Sequence, residues 1–136
     1  MAMSIFGAIG IAGTGVTVYR KWLDAVSDNI ANINDAVSPS GEAFRARYVQ
    51  ARAVAYGEGD GGAVVAGTAL GPAQGRLVYE PSNPIADREG YVKYPDIDLG
   101  SQMTQLIIAQ RAYQANLTVV DRARDAYSAA IQVGKG

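Results

Sequence analysis

The feature that most constrains this chain is an unbroken heptad repeat of apolar residues near its start. Between Ser4 and Ile33, apolar residues follow one another at alternating steps of four and three: Ile5, Ile9, Ala12, Val16, Tyr19, Leu23, Val26, Ile30 and Ile33. Such a repeat places all its members on one side of a helix, where they pack against another helix. The pattern therefore predicts a helix about 43 Å long that needs an equally long partner.

The last third of the chain carries a second repeat of the same kind. Its members are Leu99, Met103, Leu106, Gln110, Tyr113, Leu117, Val120, Arg124, Tyr127 and Ile131. Two members are polar, and the neighbouring stripe is mostly small: Ala109, Asn116, Ala123 and Ala130. Two such repeats predict that the terminal helices pair with each other as an antiparallel coiled coil. We expect the large apolar members of both repeats to make the coiled-coil and assembly contacts.

Four glycines lie within the first predicted helix: Gly7, Gly10, Gly13 and Gly15. Each glycine costs about 1 kcal/mol relative to alanine in an isolated helix. Because glycine also lets helix backbones approach closely, packing against neighbours can offset this cost. We therefore expect the segment from Ser4 to Val18 to be disordered in the free chain and helical when packed. The Ser4 hydroxyl is expected to cap this helix.

The middle of the chain predicts a small, glycine-rich β insert. Alternation predicts a strand over Phe44–Tyr56, with a bulge after Tyr48, and shorter strands over residues 63–66, 76–80 and 91–94. Asp96 and Asp98 precede the second helix, where carboxylates favour the positive end of the helix dipole. The predicted fold class is thus α+β. Its expected domains are a discontinuous helical domain of residues 1–36 and 97–136 and a β-rich insert of residues 37–96.

Composition removes most enzyme chemistry. The chain has no cysteine and no histidine, which excludes disulfides, thiolate metal sites and Ser-His catalysis. Its net charge of -1 gives no electrostatic basis for binding nucleic acid. One alternative stays open, a carboxylate enzyme or cation-binding module built from Glu80, Asp87, Glu89, Asp96 and Asp98. These residues lie in predicted turns near cationic side chains, which favours solvated ion pairs, so we expect no enzyme activity, cofactor or metal.

The first 19 residues are uncharged and moderately apolar, as some targeting segments are. They lack a basic start, and glycine and threonine dilute the apolar run. We therefore expect neither a cleaved signal peptide nor insertion into a membrane.

Both predicted helices also carry apolar residues away from the two repeats: Phe6, Ile11, Trp22, Ile107, Ile108 and Val119. Each would forgo about 1.5 to 3 kcal/mol of burial if it stayed in water. Helices that are apolar on more than one side favour packing among many copies, and head-to-tail contacts that do not close make a filament or tube. Trp22 is expected either to contact the insert or to anchor another subunit.

Several segments resemble a known family. Ser27-Asp28-Asn29-Ile30-Ala31-Asn32 is similar to the Ser-x-Asn-Ile-Ala-Asn motif of the bacterial flagellar axial proteins. Within that family, Leu77-Val78-Tyr79-Glu80-Pro81 and Gly90-Tyr91-Val92-Lys93-Tyr94-Pro95 resemble segments of the proximal-rod component. The segment Arg111-Ala112-Tyr113-Gln114-Ala115-Asn116 resembles its C-terminal helix. The resemblance covers nearly the whole chain, although Gly57–Gly75 matches poorly and Asp28, Ile33 and Asp35 depart from the usual pattern.

The resemblance implies a structural subunit of the flagellar basal-body rod. It implies export without a cleaved signal by the flagellar type III apparatus, followed by assembly in the periplasm into a helical tube that transmits torque. The implied partners are copies of the chain, other rod proteins and the adaptor at the MS ring and export gate. Another flagellar axial component, of rod or hook, is the alternative.

Overall fold

The computed structural model describes residues 5–57 and 61–136, so the predicted cap at Ser4 lies outside the described residues. Two long helices, α1 (Ile5–Ala31) and α2 (Leu99–Gly134), stand at the two ends of the chain. Between them lie four strands: β1 (Arg47–Ala55), β2 (Gly61–Leu70), β3 (Arg76–Tyr79) and β4 (Tyr91–Tyr94). β1 pairs with β2 and β3 pairs with β4. The α+β class predicted from the sequence is confirmed.

The chain groups into two compact units. Unit 1 comprises Met1–Leu23, Gln50–Gly67 and Ile107–Gly136, and unit 2 comprises Asp24–Val49 and Thr68–Leu106. Both helices and the β1–β2 hairpin contribute residues to each unit. The division into a helical domain and a β insert stays a prediction.

In unit 1, α1 and α2 pack in antiparallel directions. The ring of Phe6 meets the ring of Tyr127 edge-on at 5.1 Å between centroids. Further along α1, Gly15 lies against Asn116, where an added Cβ would be 2.5 Å from Asn116 Oδ1. The partner number on α2 falls as the number on α1 rises, as antiparallel pairing requires. This close approach explains why a glycine occupies position 15.

In unit 2, the second part of α1 contacts the start of α2 through the side chains of Asn29 and Gln102. The buried apolar residues are Ala25, Val26, Ala43, Ala46, Val92 and Ile97. β3 and β4 are antiparallel, with Val78 opposite Val92 and Tyr79 opposite Tyr91. Val37 forms a bridge to Lys93 on the other edge of β4. Asp98 caps α2, because its Oδ2 accepts a 2.7 Å hydrogen bond from the Ser101 N–H.

The first hairpin differs most from the sequence prediction. β1 is shorter than Phe44–Tyr56, and β2 extends well beyond residues 63–66. The Ala46 carbonyl accepts a hydrogen bond from Gly71, and the Val54 carbonyl faces Gly61. The bulge expected after Tyr48 stays a prediction.

Candidate assembly surface

The covered side of α2 only partly coincides with the predicted repeat. At every second member of the repeat, the covered residue is the one just before it in the sequence. Gln102 and Ala109 are buried, and Leu106, Tyr113, Asn116, Val120 and Ala123 are half-buried. These residues form a heptad repeat of their own that shares only its Leu106, Tyr113 and Val120 positions with the predicted one. The other large apolar members of the predicted repeat are 38% to 48% exposed: Leu99, Met103, Leu117, Tyr127 and Ile131. Their role in assembly stays a prediction.

The repeat on α1 lies mostly on the covered side of that helix. Val26 is 1% exposed, and Ile5 is 37% exposed. The other large members are half-buried: Ile9, Val16, Tyr19, Leu23 and Ile30. Trp22 is also half-buried, and its ring stacks on that of Tyr19 at 5.9 Å between centroids. Both expectations for Trp22 therefore stay open.

Asn29, from the family motif, lies at the centre of a buried polar cluster in unit 2. Its side chain is completely buried, and Gln102 is 2% exposed. Asn29 Oδ1 accepts a 2.7 Å hydrogen bond from the Arg47 N–H. Asn29 Nδ2 donates to the Arg47 carbonyl and to Gln102 Oε1, both at 3.0 Å. The Asn29 amide thus hydrogen-bonds to both backbone groups of Arg47, the first residue of β1, and to the side chain of Gln102 near the start of α2.

Two other motif residues at the end of α1, Asn32 and Asp28, make exposed polar contacts. Asn32 Nδ2 donates a 2.8 Å hydrogen bond to the Asp28 carbonyl, and α1 ends at Ala31. The Asp28 carboxylate also pairs with the Arg47 guanidinium at 2.9 Å, with both side chains about half exposed. The pairing of Asp28 could not be read from the motif, since the family often has another residue there.

The segment from Gly90 to Pro95 builds the second hairpin. Gly90 has a φ of +87°, and an added Cβ would lie 2.8 Å from the ring of Tyr79. Val92 is completely buried, and Pro95 is buried. The ring of Tyr91 meets that of Tyr79 at 5.4 Å between centroids. Gly90 therefore forms the turn, and Val92 and Pro95 lie in the core of unit 2.

The two remaining residues of this segment make polar contacts. Lys93 Nζ donates a 2.9 Å hydrogen bond to the Gly41 carbonyl. The Tyr94 hydroxyl donates to Glu80 Oε1 at 3.0 Å, and this bond raises the pKa of Tyr94 above its usual value. The Arg76 guanidinium lies 5.3 Å from the centre of the Tyr94 ring and opposes that rise in pKa.

Three of the five acidic residues considered for catalysis or cation binding, Glu80, Asp87 and Asp98, are engaged in local structure. Asp87 Oδ1 accepts hydrogen bonds from the N–H groups of Glu89 and Tyr91. Glu80 accepts from Asn83 and Tyr94, and Asp98 caps α2. Among residues 5–57 and 61–136, no group of three or more acidic residues is arranged to hold a metal ion.

Large apolar side chains are exposed in both units. In unit 1 they include Phe6 at 63% exposure, Ile107 at 49%, Ile108 at 50% and Val119 at 48%. Phe6, Ile11 and Tyr56 also line an open groove of about 450 Å³, together with Gly7, Gly10, Thr14 and Gly61. In unit 2, Leu77 and Tyr79 on β3 are more than half exposed. Exposed apolar residues at this density are typical of an interaction surface.

Comparison with known proteins agrees with the motifs. Residues 88–133 match a family model described as the C-terminal part of flagellar basal body rod FlgEFG proteins. Over 98% of this chain and 100% of the relative, the sequence is 34% identical to flagellar basal-body rod protein FlgC of Salmonella typhimurium. Identity to the proteins of the same name is 31% in Borreliella burgdorferi and 25% in Bacillus subtilis, each over 98% of this chain and the whole relative.

The paired terminal helices, the hairpins between them and the matched C-terminal segment define the class, a flagellar rod protein. The full-length similarity then specifies the family within that class. This chain belongs to the FlgC family of flagellar basal-body rod proteins.

Proposed function

We propose that the chain is a non-catalytic structural subunit of the proximal rod, where it assembles into a helical tube that transmits torque across the periplasm. The observation that carries this proposal is the row of exposed apolar residues on α2, including Leu117, Tyr127 and Ile131. A helix that leaves such residues in contact with water gains free energy when other subunits cover them. The relatives are named as flagellar basal-body rod proteins, which supports a structural place in the rod.

The proposed partners are copies of the chain, other rod proteins and the adaptor at the MS ring and export gate. The proposed route is export by the flagellar type III apparatus without a cleaved signal peptide. Within the part of the chain that the structure describes, no helix has the length and hydropathy to cross a membrane. The engaged carboxylates do not favour the alternative of a cation-binding module.

The test places a charge on the exposed row of α2. Leu117→Asp should abolish swimming and incorporation into basal bodies, because a carboxylate cannot be buried between subunits without a partner. Leu117 is 38% exposed, so the variant should still be produced and exported. The measurements are motility in soft agar, the amount of the chain in purified basal bodies and the amount exported.

The matched control is Gln114→Asp, which adds the same charge one turn earlier at an exposed polar position of α2. We expect this control to swim and to assemble as the parent does. Normal basal bodies containing the Leu117→Asp chain would refute assembly through this row.

A further inference from the structure

A cleft of about 510 Å³ opens in unit 2, between the segment that follows α1 and the start of α2. The residues that line it include Ile33, Arg76, Asp96, Ile97, Asp98 and Leu99. Ile97 is buried and Ile33 is half-buried, whereas Leu99 is 48% exposed. The cleft therefore combines an apolar lining with three charged side chains.

The charged side chains of the cleft are not paired with one another. Within the described part of the chain, the Asp96 carboxylate accepts no hydrogen bond and forms no ion pair. Asp98 uses Oδ2 to accept a hydrogen bond from the Ser101 N–H. The Arg76 guanidinium lies over the ring of Tyr94 and pairs with no described carboxylate. The cleft thus offers a carboxylate and a guanidinium that can each bind a group from outside.

The other end of α2, in unit 1, carries groups of complementary chemistry. Residues 124–136 are all exposed, and Val133 is 82% exposed. Beyond the hydrogen bonds within α2, the carbonyls of Gln132 and Val133 accept only long bonds among the described residues, 3.3 Å from the Lys135 N–H and 3.4 Å from the Gly136 N–H. The end of α2 therefore offers an apolar side chain, weakly bonded carbonyls and the ammonium group of Lys135.

Each of these groups matches a group in the cleft. The Lys135 ammonium matches the Asp96 carboxylate, and Val133 matches the apolar lining. Arginine side chains hydrogen-bond to the last carbonyls of helices, which matches the Arg76 guanidinium to the end of α2. The helix dipoles add to the match, because the negative end of one α2 would meet the positive end of another. Groups of both signs therefore favour the same occupant.

The occupant must come from a second copy of the chain. The cleft lies at the first residue of α2 and the matching segment at its last, so one 36-residue helix separates them within a chain. The two surfaces differ from each other, so the contact between copies is head-to-tail. Such a contact does not close on itself and can continue from copy to copy.

We propose that the cleft of unit 2 binds the end of α2 of a second copy of the chain. Asp96 pairs with Lys135, Arg76 donates to the carbonyls of Gln132 and Val133, and the Val133 side chain enters the apolar lining. This proposal rests on the proposed function, because a head-to-tail contact belongs to a tube, and it adds the residues that make the contact. The contact is small, so it forms in the assembled rod rather than between free chains.

The first experiment uses the absence of cysteine from the chain. Two differently tagged full-length chains are expressed in the same motile cells, one with Asn34→Cys and the other with Val133→Cys. Asn34 is exposed and lines the cleft. Purified basal bodies are treated with a short bismaleimide, and we expect a crosslinked band that carries both tags. Val119→Cys, also exposed on α2, is the matched control for Val133→Cys and should give only background yield.

The outcomes separate this contact from the proposed function. Equal yields for Val133→Cys and Val119→Cys, or no doubly tagged band from basal bodies that hold both chains, would overturn the contact. A link from Asn34→Cys to a different protein alone would also overturn it, because the cleft would then have another occupant. Absence of the unmodified parent chain from basal bodies would instead contradict the proposed function.

The second experiment reverses the charges of the ion pair. Asp96→Lys in the Asn34→Cys chain should lower the yield with the Val133→Cys chain about fivefold, because two ammonium groups then face each other. Lys135→Asp in the Val133→Cys chain should restore the yield. Glu89→Lys makes the same charge change at an exposed turn position of unit 2 and should leave the yield unchanged. An effect of Asp96→Lys no larger than that of Glu89→Lys, or no rescue by Lys135→Asp, would contradict the proposal.

Discussion

At the scale of single residues, Asn29 shows how one buried amide can set the register of several segments in unit 2. Its side chain offers a donor and an acceptor at the spacing of a peptide group, so it pairs with both backbone groups of Arg47. Its second donor reaches Gln102 at the start of α2. Polar residues within an otherwise apolar helix interface are known to fix register, because any shift leaves them unpaired.

Replacing Asn29 with alanine should destabilise unit 2 by about 1 to 3 kcal/mol, because buried polar groups of Arg47 and Gln102 lose their partner. Asn29→Asp should cost at least as much, since a carboxylate cannot donate to the Arg47 carbonyl and would bury a charge. The measurement is unfolding in urea followed by tyrosine fluorescence. Asn32→Ala is the control, because its bond to the Asp28 carbonyl is exposed and its loss should cost about 0.5 kcal/mol or less. A loss for Asn29→Ala no larger than the control's would refute the register role.

At the scale of elements, apolar periodicity predicted where the helices lie better than which side of α2 is covered. The predicted repeat selected large apolar residues such as Met103 and Leu117, whereas the covered positions beside them are Gln102 and Asn116. The physical reason is close approach, since Gly15 and Asn116 leave no room for larger side chains between the helices. Size and polarity at a close helix crossing depend on the partner helix, which single-helix periodicity does not include.

For the strands too, local sequence patterns predicted some elements, whereas others depend on contacts with residues distant in the sequence. Residues 91–94 were predicted and form β4, because a glycine turn and a proline bound an alternating run. β2 was predicted too short because Gly61, Gly62 and Gly67 are poor strand formers. A contact that no local pattern contains, the Ala63 N–H bonding to Thr14, supports that end of the strand. The sequence identified Asn29 only as part of a motif. Its contacts could not be predicted, because Arg47 and Gln102 are distant in the sequence and only folding brings them to Asn29.

The glycines of α1 give a prediction at this scale. A Cβ at Gly10 or Gly13 would meet no described atom within 4 Å, whereas one at Gly15 would force Asn116 to move and strain its 2.9 Å hydrogen bond to the Ala112 carbonyl. Gly10→Ala and Gly13→Ala should therefore each favour the helix by about 1 kcal/mol, and Gly15→Ala should gain less. Circular dichroism of the isolated chain measures the helical content. Equal gains at all three positions would contradict the close packing at Gly15.

At the scale of the whole molecule, the buried side chains are mostly small, whereas many large apolar side chains are exposed. Each unit buries small residues such as Ala12, Ala25 and Ala109, while larger ones such as Phe6, Ile108 and Leu77 are at least half exposed. A monomer that maximised its own stability would do the reverse, because burying a large side chain contributes more than burying a methyl group. This distribution is typical of a chain that completes its burial in an assembly.

Self-association of the isolated chain should therefore depend on the exposed apolar residues of α2. The double variant Ile107→Lys with Ile108→Lys should remain monomeric at concentrations where the parent associates, because two half-exposed side chains no longer gain from burial and two like charges are added. Sedimentation velocity across a hundredfold range of concentration measures this. Gln114→Lys with Ser128→Lys adds the same charge at exposed polar positions of α2 and should associate almost as the parent does. If both double variants associated equally, the apolar surface of α2 would not drive assembly, since charge alone would account for any difference from the parent.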